Sequence, residues 1–201
     1  MIISFEVMIL SMKLKYFAIC GFIAPAIAYS SIALAIMQMP HFSWFKNALS
    51  DLGVWKSSAY IFNFGLILAG AIQIIFTFSL SNYFNGLIGV IGSTFYFASS
   101  TSLALIGVFP ESAGRIHFYV SLSFFTLTPI SLIFFAISLI KECREIKLGA
   151  ATLILAVLAI FPWLIPWKTY GIHGVAIPEL LSSISASIWN IHTALKLYRR
   201  M

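Results

Sequence analysis

Long apolar blocks separated by short polar turns set the pattern of this chain. Six blocks reach spanning length, at about 15–38, 58–80, 85–108, 117–140, 148–166 and 176–196. A bilayer core takes about 20 helical residues to cross, so each block predicts a transmembrane helix. The connections are short, which predicts antiparallel neighbours. The expected fold is an all-α integral membrane protein, a six-transmembrane-helix antiparallel bundle forming a single domain over residues 13–201. Residues 1–12 read as a possible upstream extension, with Met12 a second candidate start. No soluble domain, low-complexity linker or internal repeat interrupts the pattern.

The first block opens on Met12-Lys13-Leu14-Lys15 and "YFAICGFIAPAIAYS", with a small-x-small Ala26-Ile27-Ala28, the outline of a secretory signal. Its apolar run continues through Ser31 to Met39, so the segment is read as a retained membrane helix.

Within the blocks, polar positions fall on single helix faces. Asn63, Leu66, Gly70, Gln73 and Thr77 align on the second, and His117, Ser121 and Thr128 on the fourth. Glu179, Ser182, Ser183, Ala186 and Asn190 align on the sixth, and the third carries Ser93, Ser99–Ser102 and Gly107. An unpaired polar group in hydrocarbon costs several kcal/mol, so these faces turn inward and pack helix on helix. The fifth block is apolar almost throughout; it faces lipid and bends or ends at Pro162 and Pro166.

Composition agrees. Hydrophobic residues make up 61% of the chain and charged residues 9%, far below the roughly one quarter of a water-soluble domain. The formal charge of +6 does not point to nucleic acid, because no basic run is dense enough and the cations sit beside apolar blocks. They read as topology signals and contacts to membrane lipids. Eight Lys and Arg fall on the side of both termini and four on the other, which predicts cytoplasmic termini (N-in/C-in) in a multi-pass cell-membrane protein. Trp44, Trp55, Trp163 and Trp167 mark the opposite interface, with Trp189 near the inner edge. Cys20 and Cys143 fall on different sides, so no disulfide framework follows.

The scarce ionisable residues gather on the outer side. Three of the six acids, Asp51, Glu111 and Glu179, lie there; Glu6 falls in the extension, and Glu142 and Glu145 sit in the basic inner loop. His41, His117 and His173 are also outer, and His192 is interfacial at the inner end. Asn47, Ser50, Asp51, Asn63, Glu111, Arg115, His117, Ser121, His173 and Glu179 therefore form a candidate ligand pocket. His117, Asp51 and Glu179 are the candidate catalytic residues, since histidine titrates near neutrality and a buried carboxylate can move protons. A metal would need His117, Asp51, Glu179 and His173 assembled from separate helices, because no H-x-x-x-H, H-E-x-x-H or C-x-x-C occurs. Each has a plainer role too: Ser50 or Asp51 can cap a short helix, Gly53 can close a turn, and Glu179 complements a helix N-terminus or pairs with Arg115 or Lys168.

"NALSDLGV...AYIFNFGLILAG", "LIGVFPES...IH" and a late G-x-x-x-P-E opening the last helix resemble the integral-membrane family called domain of unknown function 998, found in archaea and bacteria. The likeness runs from about Lys13 to the end and implies six membrane helices without a settled activity. By position it singles out Asn47, Ser50, Asp51, Asn63, Pro110, His117 and Glu179. Family members often follow the glutamate with arginine, where this chain has Leu180, which leaves Glu179 to Arg115, to Lys168 or in its neutral form.

Three readings stand at this stage. One is a polar pocket at the outer leaflet that binds a lipid headgroup or small amphiphile. The second is a membrane-embedded lipid hydrolase or transferase, acid–base or metal-assisted. The third is a structural or accessory subunit, in a homo-oligomer or membrane complex, whose polar cluster staples the outer loops.

Overall fold

The computed structural model describes residues 5–200, with side chains over residues 15–199. Six helices carry the described residues, without a strand: α1 Phe5–Met37, α2 Ala59–Tyr83, α3 Leu87–Val108, α4 Arg115–Lys141, α5 Ile146–Ile160 and α6 Ala176–Arg200. Residues 5–12 continue α1 as helix; residues 1–4 and the Glu6 side chain lie outside the described residues. The chain passes Ala26–Ala28 without a break. As the sequence suggests, α5 gives way at Pro162 to a 3₁₀ turn, Phe161–Leu164.

Five segments are long and apolar enough to cross a membrane: Lys15–Met37, Ala59–Tyr83, Leu87–Val108, Arg115–Lys141 and Ile146–Leu164. They mark an all-helical, multi-pass membrane protein. α6 is not among them. Its inward face carries Ser182, Ser185, Asn190 and Thr193, all buried, and these polar groups dilute its hydropathy.

Neighbours in sequence pack side by side, and α1 packs on α6, which closes the six helices into a ring. Its two ends differ. One gathers segments 38–58, 109–114 and 161–175 with Trp44, Trp55, Trp163 and Trp167. The other gathers the start of α1, the end of α6 and the α4–α5 turn, and is basic. There Lys15 lies over the Tyr198 ring at 4.5 Å, and Lys196 pairs with Glu145.

The half near the basic end is filled. Trp189 stacks on Phe135 with ring centroids 4.9 Å apart and lies 5.7 Å from Tyr96. At 1% exposure it is a core residue rather than the interfacial one its position suggests. Two glycines set the α2–α3 spacing: a Cβ on Gly70 would strike the Ala104 backbone, and one on Gly107 would strike the Asn63 carbonyl. Mid-bundle polar groups pair across helices, as hydrocarbon surroundings demand. Gln73 Nε2 donates to Tyr96 Oη at 2.8 Å, and Tyr96 Oη donates to Asn190 Oδ1 at 2.8 Å. Ser99 bonds Thr128 at 2.6 Å, and Ser182 donates to the Ala159 carbonyl at 2.7 Å. The other half is left incompletely filled, beneath the Trp-rich end.

Candidate functional site

The site begins with the α1–α2 connection. Its 3₁₀ turn, Leu49–Gly53, is capped by Asp51, whose Oδ2 accepts from the Ala48 N–H at 3.0 Å and Asn47 Nδ2 at 2.6 Å. Asn47 Oδ1 accepts in turn from the Ser43 N–H at 2.9 Å. Asn63, one turn into α2, donates to the Gly53 carbonyl at 2.9 Å and so pins the exit of the turn. These are the loop-fixing roles that serine, aspartate and asparagine perform at turns and caps.

The same loop holds the start of α6. Phe45 O accepts from the N–H groups of His173 at 2.7 Å and Gly174 at 2.9 Å, and Asn47 O accepts from Ala176 at 3.0 Å. Glu179 completes the link: its Oε2 accepts from the Leu49 N–H at 2.7 Å. The partner of Glu179 is thus a backbone donor. Arg115 and Lys168, the cations expected to pair with it, are exposed and make no ion pair with it.

The α3–α4 connection brings the third carboxylate. Glu111 follows Pro110 in a one-turn 3₁₀ helix, and Gly114, at φ +65°, reverses the chain into α4. Ser50 Oγ donates to Glu111 Oε2 at 3.3 Å, and Glu111 and Asp51 share a hydrogen bond. Burial, that bond and the Asp51 charge raise Glu111 to about 6, with the Ser50 hydroxyl opposing. The folded state therefore holds a proton that the unfolded chain releases at its ordinary carboxyl value, so stability falls as pH rises through about 6. Glu111→Gln, which mimics the protonated acid, should raise the melting temperature in detergent at pH 7.5 by a few degrees and leave it unchanged at pH 4. Melting curves from pH 4 to 8 check this; equal curves for the two proteins would refute it.

His117 is buried in the first turns of α4. Its Nδ1 lies 2.8 Å from the Phe109 carbonyl, which can only accept, so Nδ1 carries the proton. Its Nε2 lies 3.2 Å from Ser121 Oγ and can accept from that hydroxyl.

These groups edge two joined cavities. The larger, about 820 Å³, runs between α4 and the α5–α6 segment; Ser50, Glu111, His117, Ser121 and Glu179 line its polar end. Apart from Thr126 its remaining wall is apolar: Phe118, Leu122, Phe125, Pro129 and Ile130 of α4 face Ile160, Trp163 and Val175. The smaller, about 90 Å³, shares Ser50, Ser121, Phe125 and Glu179 with it and descends past Tyr29 toward Gln73 and Asn190. A proline inside a helix lines each one, Pro129 of α4 and Pro25 of α1, where the helix loses a backbone hydrogen bond. Neither cavity is lined by a lysine or arginine.

The structure thus brings together Ser50, Glu111, His117, Ser121 and Glu179, with Asn47 and Asp51 directly behind them. Asn63 serves the Gly53 turn, while Arg115 and His173 are exposed and line neither cavity. Among the described residues, no three His, Cys, Asp or Glu side chains are arranged to hold a metal ion, so His117, Asp51, Glu179 and His173 do not assemble the ligand set considered above. The apolar wall escapes sequence reasoning. It lies on the rows 118-122-126-130 and 117-121-125-129, spaced four apart on α4; His117 and Ser121 open the second row at the polar end, and apart from Thr126 the remaining positions are residues that suit lipid contact equally well.

The sequence profile of the family described as "Protein of unknown function (DUF998)" matches residues 22–196. The chain belongs to this family. No curated protein and no solved structure matches it significantly. The DUF998 match spans every element that builds the site, from Pro25 of α1 to Asn190 of α6.

Proposed function

We propose that this DUF998 protein binds an amphiphile drawn sideways from the outer leaflet of the cell membrane. In this reading α6 is a sixth span and both termini are cytoplasmic, as the excess of Lys and Arg at the basic end supports. The observation that carries the proposal is the 820 Å³ cavity, apolar along α4 and polar at one end only. An acyl or prenyl chain fits the wall of Phe118, Leu122, Phe125 and Ile130, and the head meets Ser50, Glu111, His117 and Glu179. Since these groups are mostly acceptors and no cation faces them, the complementary head carries donors, hydroxyl or ammonium, rather than an unshielded phosphate.

Thr126 lines the groove from an exposed position, so Thr126→Trp should occlude it without disturbing the fold. Mass spectrometry of lipids co-purifying with the wild type should show one amphiphile enriched near one per chain, and the variant should lose at least nine-tenths of it. If the wild type carries only bulk lipid in bulk proportions, the binding proposal fails.

One observation favours hydrolysis of the bound amphiphile as a second reading. Ser121 Oγ lies 3.2 Å from His117 Nε2 while the other ring nitrogen is held by a carbonyl, the arrangement of a hydroxyl with an adjacent base. A long-chain fluorophosphonate that labels the wild type but neither Ser121→Ala nor His117→Ala would support it; no labelling of the wild type would dismiss it.

A further inference from the structure

The basic end holds a further cavity, about 610 Å³, between the start of α5 and the end of α6. Lys147, His192 and Arg199 stand on its rim, all exposed, and Leu148, Ala151 and Leu195 form its wall toward the hydrocarbon. Two acids sit nearby, and both are engaged. Glu145, which lines the cavity, pairs with Lys196 and accepts from Tyr83 Oη at 2.9 Å. Glu142 caps α3, accepting from the N–H groups of Ile88 at 3.0 Å and Gly89 at 3.1 Å and from Ser138 Oγ at 2.5 Å. These hydrogen bonds hold its carboxyl below the usual range despite the opposing pull of burial. The acids that dilute the charge of "KECREIK" in sequence are therefore held by the fold, and Lys147 and Arg199 extend from this rim into the open.

We propose that this cavity is a binding site for the phosphate of an anionic lipid, its head between Lys147, His192 and Arg199 and its chain along Leu148 and Leu195. A basic recess between helices over an apolar slot offers charge to the head and cover to the chain together. This site lies at the opposite end from the outer-leaflet cavity and does not depend on it.

The test uses the full chain in mild detergent, with phosphatidylglycerol, phosphatidylcholine or inorganic phosphate as probe. Melting temperature and native mass spectrometry are the readouts. Phosphatidylglycerol should raise the wild-type melting temperature more than phosphatidylcholine does. Lys147→Gln/Arg199→Gln should bind it about 30-fold more weakly, at roughly 1 kcal/mol per cation. Each single variant should fall in between, which guards against misfolding of the double. Equal effects of the two lipids overturn the proposal, as does an unchanged gain in the double variant. Inorganic phosphate reproducing the full gain assigns the site to a soluble anion and overturns the lipid.

Discussion

Glu179→Ala should cost about 1–3 kcal/mol of stability, because it strands the buried Leu49 N–H without an acceptor. Glu179→Gln should cost little or nothing. Its amide oxygen can still accept from Leu49, and a neutral amide suits this buried position beside Glu111 and Asp51. The two variants separate the roles of the residue. In the proposed function Glu179 also faces the head of the amphiphile, so glutamine should keep the fold yet weaken binding several-fold, by about the worth of one hydrogen bond. Thermal melting gives the first effect and lipid retention the second. If alanine and glutamine were equally stable, the link between the first loop and α6 would not rest on this side chain. The stapling role of the cluster at the Trp-rich end would then be lost, while the cavity could still bind.

Trp189→Ala should be the most damaging single truncation in the bundle, at about 3–5 kcal/mol. The side chain is 1% exposed and lies among Phe76, Tyr96, Leu132 and Phe135, where few neighbours can move to fill its volume. Lipid offers no substitute, since inside a bilayer helix association rests on packing rather than on escape from water. Trp189→Phe should be far milder, below about 1.5 kcal/mol. The indole Nε1 has no hydrogen-bond partner, so phenylalanine forfeits volume but no bond. Denaturation in detergent distinguishes the two; a phenylalanine variant as unstable as alanine would mean the indole nitrogen contributes through an ordered water.

The sequence foretells this division only in part. Residues whose polarity clashes with hydrocarbon could be placed, because lipid leaves them nowhere else to go. Gln73, Thr77, Ser99, Ser182 and Asn190 are all buried on the faces that their spacing marks. Proline at 162 ends α5 for an equally general reason. The meeting of Asp51, Glu111 and Glu179 was legible as three scarce acids at one end of a small bundle. Their partners were not. Glu179 takes a backbone N–H and leaves Arg115 and Lys168 outside, since a backbone donor has no sequence signature. His173 contributes its main chain to Phe45 and turns its ring outward, a choice made by loop geometry rather than residue type. Trp189 looks interfacial from its distance to the chain end, yet its ring stacks inward on Phe135. The apolar groove was least visible, because Phe118 or Leu122 against a bound chain and against bulk lipid are the same residue in nearly the same surroundings.

The central claim is that this groove selects its occupant. The most direct test places the photocrosslinker p-benzoylphenylalanine at Phe125, which lines both cavities, and at Ile154, exposed on α5 outside them. Irradiated in native membranes, the Phe125 position should yield one dominant adduct mass that is minor at Ile154. The same spread of bulk-lipid adducts at both positions would contradict it.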